Sequence, residues 1–256
     1  MQKPLRMDIS DVSVRYGSNL ALSDVNLTIH GGRITALLGP NGSGKTTLLK
    51  TMVGLTPPDS GKIEIQGIGT VSRNMKIKEI TGFVAETPMI YESLTPLEMF
   101  EFVGSIRGIG GKLLEDRIKD LSEALGMRKS LNEITGGLSF GTKQKVAIIS
   151  ALLHDPDILI MDESMNGLDP SSSTAIKTIL RGMAERGKII VVSTHMLEVA
   201  DSFCDEVIIL KAGKVVAAGN IADLKGYDKH AGSVEELFYQ ALSHISIQSV
   251  TTELEG

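Results

Sequence analysis

The sequence predicts an α/β fold: a mostly parallel sheet covered by helices, an N-terminal antiparallel β subdomain and an inserted α-helical subdomain. Three observations carry this. In the second half of the chain, strand-sized apolar runs (Ile158–Met161, Ile189–Val192, Val207–Leu210) alternate with helical patterns. Such alternation implies right-handed crossovers and a parallel sheet. Residues 1–38 hold short strand-like segments broken by Gly and Asn turns. From about Pro88 to His154 the pattern turns mostly helical, interrupting the α/β core rather than opening a new domain.

Taken in order, "DISDVSVRY", "ALSDVNLTI" and "RITALL" read as strands. "TTLLKTMVGL" has helical apolar spacing and stops at Gly54 before the turn cluster "TPPDSG". "KIEIQG" reads as another strand and turn, and the Lys-rich "SRNMKIK" (Ser72–Lys78) as solvated loop surface. "LTPLEMFEFVGSIRG" opens with Thr95, Pro96 and Glu98, a capping box with proline at the first helical position. The remaining elements are "DILIMDE", "SSSTAIKTILRGMAERG", "KIIVVST", "MLEVADSFC" and "DEVIILK". "SVEELFYQALSHI" (Ser233–Ile245) reads as a capped amphipathic helix packing on the body or on a partner, and the last residues as a frayed tail. Residues 1–232 thus form one domain, with helices inserted over about 88–154, and 233–256 form a C-terminal helix and tail.

The bulk numbers exclude several classes. With 42 % apolar and 22 % charged residues the chain is an ordinary soluble globular protein. A net charge of −5 argues against a general nucleic-acid binder, which carries a basic stripe. One cysteine, Cys204, permits no internal disulfide and suits a cytosolic chain. The opening "MQKPLRMDIS" has no apolar core of signal-peptide length, and no run approaches the roughly 20 apolar residues of a membrane span. Work at a membrane therefore needs another polypeptide to supply the membrane part.

Chemistry concentrates in "GPNGSGKTT": Gly39, Pro40, Asn41, Gly42, Ser43, Gly44, Lys45, Thr46 and Thr47. The stretch fits G-x-x-x-x-G-K-[ST] between a predicted strand and a predicted helix. Glycine costs backbone entropy on folding and buries no side chain. Its use here is to let successive amides turn inward as an anion nest, to which the following helix N-terminus adds partial positive charge. Lys45 is then placed to neutralise β- and γ-phosphates, and Thr46 to coordinate Mg²⁺. The buried run "ILIM" ends in Asp162 and Glu163, at the carboxyl edge of the sheet where α/β proteins bind ligands. Asp162 is the candidate Mg²⁺ ligand, directly or through water, and Glu163 the candidate general base.

Further motifs resemble those of the ATP-binding cassette (ABC) ATPases. "LSFGT" (Leu138–Thr142) is similar to their signature, His195 in "STH" to their switch histidine, "ESMNGLDP" (Glu163–Pro170) to their D-loop, and Tyr16 to the aromatic that stacks on adenine. The motifs run in family order over about residues 7–220. The resemblance implies a P-loop NTPase core, ATP and Mg²⁺ as cofactors, and hydrolysis with Glu163 and His195 as the catalytic pair. It implies a head-to-tail dimer, of two identical or paralogous subunits, in which Ser139 and Gly141 face the γ-phosphate bound to the other copy. The other implied partner is an integral membrane permease, with this subunit peripheral on the cytoplasmic face.

Departures from the family pattern are as informative. Phe140 and Thr142 replace the third and fifth signature positions, and Ser164 replaces a proline after the catalytic glutamate. The usual interlobe glutamine aligns with Glu86, which either ligates Mg²⁺ weakly or disfavours closure by repelling phosphate. Glu86 and the Lys-Gln-Lys run after the signature are common in the export-type, ABC-2-like branch, which makes an exporter the expectation. The alternatives are a soluble ABC-type ATPase in cofactor assembly or translation, and a small-molecule kinase, which needs neither "LSFGT" nor "STH".

Overall fold

The computed structural model of the chain describes residues 4–72, 74–227 and 233–243. β1 (Arg6–Tyr16) and β2 (Asn19–His30) pair as an antiparallel hairpin, with Met7 opposite Ile29. β3 (Ile34–Leu38) runs into the glycine loop, and α1 (Lys45–Met52) leaves it. β4 (Ser60–Ile65) returns beside β1 and is followed by β5 (Gly69–Thr70), giving a four-stranded sheet of order β2-β1-β4-β5. α2 (Met75–Glu79) leads into β6 (Thr81–Val84). Then come α3 (Pro96–Ile106), α4 (Gly111–Ala124) and α5 (Phe140–Leu152). The second half alternates β7 (Ile158–Asp162), α6 (Pro170–Glu185), β8 (Ile189–Ser193), α7 (Leu197–Phe203) and β9 (Glu206–Lys211). β10 (Lys214–Asn220), α8 (Ile221–Tyr227) and α9 (234–243) close it.

The second sheet has the order β10-β9-β3-β8-β7-β6 and is parallel except at the β9–β10 hairpin. Every residue of β3, β7 and β8 is buried. Their side chains alternate between two cores, as strand geometry requires. Leu37, Ile160 and Val191 join α1 and the N-terminal sheet; Leu38, Leu159, Met161 and Ile190 join α3 to α7. Full burial of such a side chain stabilises by about 1.5–3 kcal/mol. The three strands are thus a rigid floor, and the loops at their carboxyl ends share one edge.

Several expectations hold in place. The Thr95 capping box is present, with Thr95 Oγ1 accepting from Glu98 N at 3.2 Å and Glu98 Oε2 from Thr95 N at 2.8 Å. Ser233 and Glu236 cap α9 in the same reciprocal way. That helix packs on the body through buried Val234 and half-buried Phe238 and Ala241; residues 244–256, including the end of the expected helix and the tail, lie outside the described residues. One expectation is overturned: within the supposed solvated loop 72–78, residues from Met75 onward form α2. Asn74 caps it by accepting from Lys76 N at 3.1 Å, and Ile77 is buried beneath it.

Arg107 completes that helix from the end of α3, Nη1 donating to the carbonyls of Lys78 (2.7 Å) and Glu79 (3.3 Å). Its Nη2 donates to Thr81 O at 3.1 Å, and His154 Nε2 meets the same oxygen at 3.2 Å. Burial, followed by the positive fields of Arg107, Lys188 and Arg117, pushes the His154 imidazole down to about 4. The unfolded chain takes up this proton near 6.5 and the folded chain only near 4. Stability is therefore lost as pH falls through that window and levels below it. After discounting for partial exposure the loss is about 1–2 kcal/mol. Urea unfolding at about pH 7.5 and about pH 4.5 should show a loss larger by that amount in the parent than in His154→Gln; equal losses would contradict the assignment.

Candidate functional site

The loop from Gly39 to Gly44 needs its glycines for two separate reasons. Gly42 and Gly44 have φ of 77° and 104°, a region that side chains rarely adopt. A Cβ on Gly39 would collide with the Leu210 carbonyl, and one on Gly44 would lie 2.6 Å from Ala21 O. Lys45, only 7 % exposed, folds back so that Nζ donates to Gly39 O (2.9 Å) and Pro40 O (3.3 Å). Its charge is thereby held against the loop whose Asn41, Gly42 and Gly44 line the cleft.

The acidic side is built from the ends of β7 and β8. Asp162 and Ser193 are register partners, and Ser193 Oγ donates to Asp162 Oδ1 at 2.6 Å. Ser193 Oγ in turn accepts from the Glu163 backbone N–H at 2.9 Å. Glu163 has a φ of 45°, in the left-handed region where a non-glycine residue is strained. That twist aims its carboxylate at the cleft, 3.7 Å from Lys45 Nζ through Oε1. Oε2 accepts from His195 Nδ1 at 2.9 Å. One carboxylate is thus flanked by a cation at ion-pair distance and an imidazole at hydrogen-bond distance, the set needed to bind phosphate and take a proton from water.

Tyr16, Asn41, Gly42, Gly44, Lys45, Thr46, Thr47, Glu86, Glu163 and His195 all line one cleft of about 960 Å³. Tyr16 is 52 % exposed at its rim, an unfilled aromatic face. Gly39, Pro40, Ser43 and Asp162 are not among the lining residues: Gly39, Ser43 and Asp162 are buried and Pro40 is exposed. Sequence reasoning missed the opposite wall, made by the start of β2 (Asn19 to Ala21) and the β9–β10 turn (Ala212, Gly213). Ser193 was also missed, although it stands inside the quoted "STH"; a buried serine beside a buried aspartate leaves no sequence signal of its own.

Ser139 and Gly141 are not brought into this cleft. Ser139 is the N-cap of α5, its Oγ accepting from Thr142 N at 3.3 Å and lying 2.9 Å from Thr142 Oγ1. Gly141 packs on the D-loop: a Cβ there would lie 2.5 Å from Gly167 O. Phe140, 53 % exposed, covers Gly167. The D-loop is fixed from behind by Asp169, which caps α6 and accepts from Lys145 at 2.6 Å. Hydrogen bonds from Lys145, Ser171 and Ser172 hold its carboxyl well below the usual carboxylate range.

The donors fit Mg²⁺: a threonine hydroxyl at 46 and carboxylates at 86 and 162 are hard oxygen ligands. No group of three or more His, Cys, Asp or Glu among the described residues could hold a metal alone. No described helix is long and apolar enough to cross a membrane.

Comparison with known proteins converges on one group. The family described as "ABC transporter" matches residues 22–166. The ABC transporter ATP-binding protein NatA of Bacillus subtilis is 38 % identical over 206 residues, covering 80 % of this chain and 83 % of NatA. Nod factor export ATP-binding protein I of Burkholderia lata is 33 % identical, covering 83 % of this chain and 70 % of that protein. Among solved structures, the dimeric post-hydrolysis state of the ATP-binding cassette MJ0796, bound to ADP and Pi, is 29 % identical. It superposes with a TM-score of 0.76 over 84 % of this chain and 98 % of that one.

Proposed function

The chain belongs to the ABC transporter ATP-binding family and is an ATP-hydrolysing subunit that powers a transporter; from that premise we propose that it serves export and follows a specific working cycle. Two copies of the chain, or this chain and a paralogue, clamp two ATP molecules head to tail, and hydrolysis releases the clamp. One observation carries the reading: the cleft gathers Lys45, Glu163 and His195, yet the chain's own Ser139 and Gly141 stand outside it. A second copy supplies them. Residues 1–232 act as the ATPase unit, and the helices between about 88 and 154 are its moving lobe.

Each side chain has one task. Tyr16 stacks on the base at the rim. The loop amides and Lys45 hold the β- and γ-phosphates, and Lys45 leaves or shares its loop carbonyls as phosphate enters. Thr46 and Asp162, with Glu86 at the mouth, would hold Mg²⁺, which supplies charge neutralisation on the phosphates when bound. Glu163 takes the proton of the attacking water, while His195 Nδ1–H fixes the carboxylate's direction. Loss of the γ-phosphate removes the bridge between the copies, an order-changing switch of the kind that nucleotide hydrolysis drives elsewhere.

The transport partner is a polytopic membrane protein that this subunit joins from the cytoplasmic face, and the direction is export. The kinship with an export ATPase and the export-type features at Glu86 and 143–145 support this. Detergent extracts of cells that produce the tagged chain test it. The chain should retain a multi-spanning protein and hydrolyse ATP in that complex. Recovery of an active enzyme that never associates with a membrane protein would favour a soluble ATPase instead.

A further inference from the structure

Gln144 lies on the second turn of α5 and is wholly buried. Its Nε2 donates to Ser164 O at 3.0 Å and reaches Ala85 O at 3.5 Å. These carbonyls belong to the two loops that carry cleft acids, for Ser164 follows Glu163 and Ala85 precedes Glu86. One side-chain amide therefore joins the helix that begins at Ser139 to both acid-bearing loops.

The junction holds two buried polar atoms without a hydrogen-bond partner, Gln144 Oε1 and Ser164 Oγ. One is an acceptor and the other a potential donor. Unpaired buried polar groups are unfavourable, so an arrangement that brings the two together is favoured over this one. Their neighbour Glu163 is held in its strained conformation from one side by Ser193. Gln144 grips the next carbonyl from the other side.

We propose that Gln144 is a positioning residue that transmits displacement of α5 to the backbone carrying Glu163. In the clamped state Ser164 Oγ donates to Gln144 Oε1, completing a two-bond link. The inference rests on the head-to-tail reading, because the γ-phosphate of the second copy is what moves the α5 N-terminus. A helix is stiff over one and a half turns, so a shift at Ser139 reaches Gln144 nearly undiminished. Each Glu163 is thereby set by occupancy of the other copy's nucleotide site.

Steady-state ATP hydrolysis by the full chain, titration with a fluorescent ATP analogue and thermal melts test this on Gln144→Met, Ser164→Ala and the double variant. One lost neutral hydrogen bond should lower kcat about five- to tenfold in Gln144→Met, with KM and analogue affinity within about twofold of the parent. Ser164→Ala should lose about two- to threefold, and adding it to Gln144→Met should cost nothing more. Unchanged kcat, fully multiplicative losses, or a matching loss of affinity would overturn the proposal. If Gln144→Met does not fold, Ser164→Ala decides alone, and a parental kcat refutes the link. A parent chain that hydrolyses no ATP would instead remove the proposed function.

Discussion

Glu163→Gln is expected to lower kcat by about 10²- to 10⁴-fold, the usual contribution of a positioned general base, while leaving ATP affinity unchanged within a few-fold. The geometry separates the two effects. Glutamine keeps the size of the side chain and can still accept from His195 Nδ1, now 2.9 Å from the carboxylate. The Ser193 bond to the backbone of residue 163 is untouched, so the strained turn persists. Lys45 stays anchored to Gly39 O and Pro40 O. What disappears is the ability to take a proton from water. Single-turnover phosphate release and analogue titration on the same sample measure the split. Hydrolysis at the parental rate would refute the role of Glu163, and a parallel collapse of affinity would make it a binding residue instead.

Lys45→Ala acts on the other half of the cycle. Charge-assisted hydrogen bonds contribute about 1.5–3 kcal/mol each, so affinity for ATP should fall roughly 10- to 100-fold. ADP should lose less than ATP if Lys45 also reaches the γ-phosphate. The fold should survive, because α1 is held by the Leu48 N–H to Gly44 O bond (2.9 Å) and by buried Leu48, Leu49 and Met52, none of which needs the Lys45 side chain. Calorimetric titration of both nucleotides checks the order. Equal affinity for ATP in variant and parent would show that the loop amides alone hold the phosphates.

What the sequence makes legible depends on the range of the interactions involved. The glycine loop was legible because a local backbone requirement selects its residues: φ at Gly42 and Gly44, and close approach at Gly39. β7 and β8 were legible because strands buried on both faces read as unbroken apolar runs. β6 and β10 were not marked. β6 is only four residues long, and β10 reads Lys-Val-Val-Ala-Ala-Gly-Asn, with no apolar–polar alternation to give a period-two signal. α2 reads as loop in the sequence because its support is tertiary: one buried Ile77 and the Arg107 guanidinium on its last carbonyls. The same applies to Gln144 and Ser193, whose meaning lies in partners 20 and 31 positions away. The cleft's phosphate side was therefore visible in sequence, whereas the bonds that hold its acids in place were not.

The proposed cycle requires two copies of the chain to share their nucleotides. The mass of Glu163→Gln in solution, by light scattering with and without Mg-ATP, tests this most directly. Twice the chain mass with Mg-ATP and the single mass without it, reverting when Ser139 is changed to a bulky residue, is the predicted result. A single chain mass at saturating Mg-ATP, in protein shown to have bound it, would contradict the clamp.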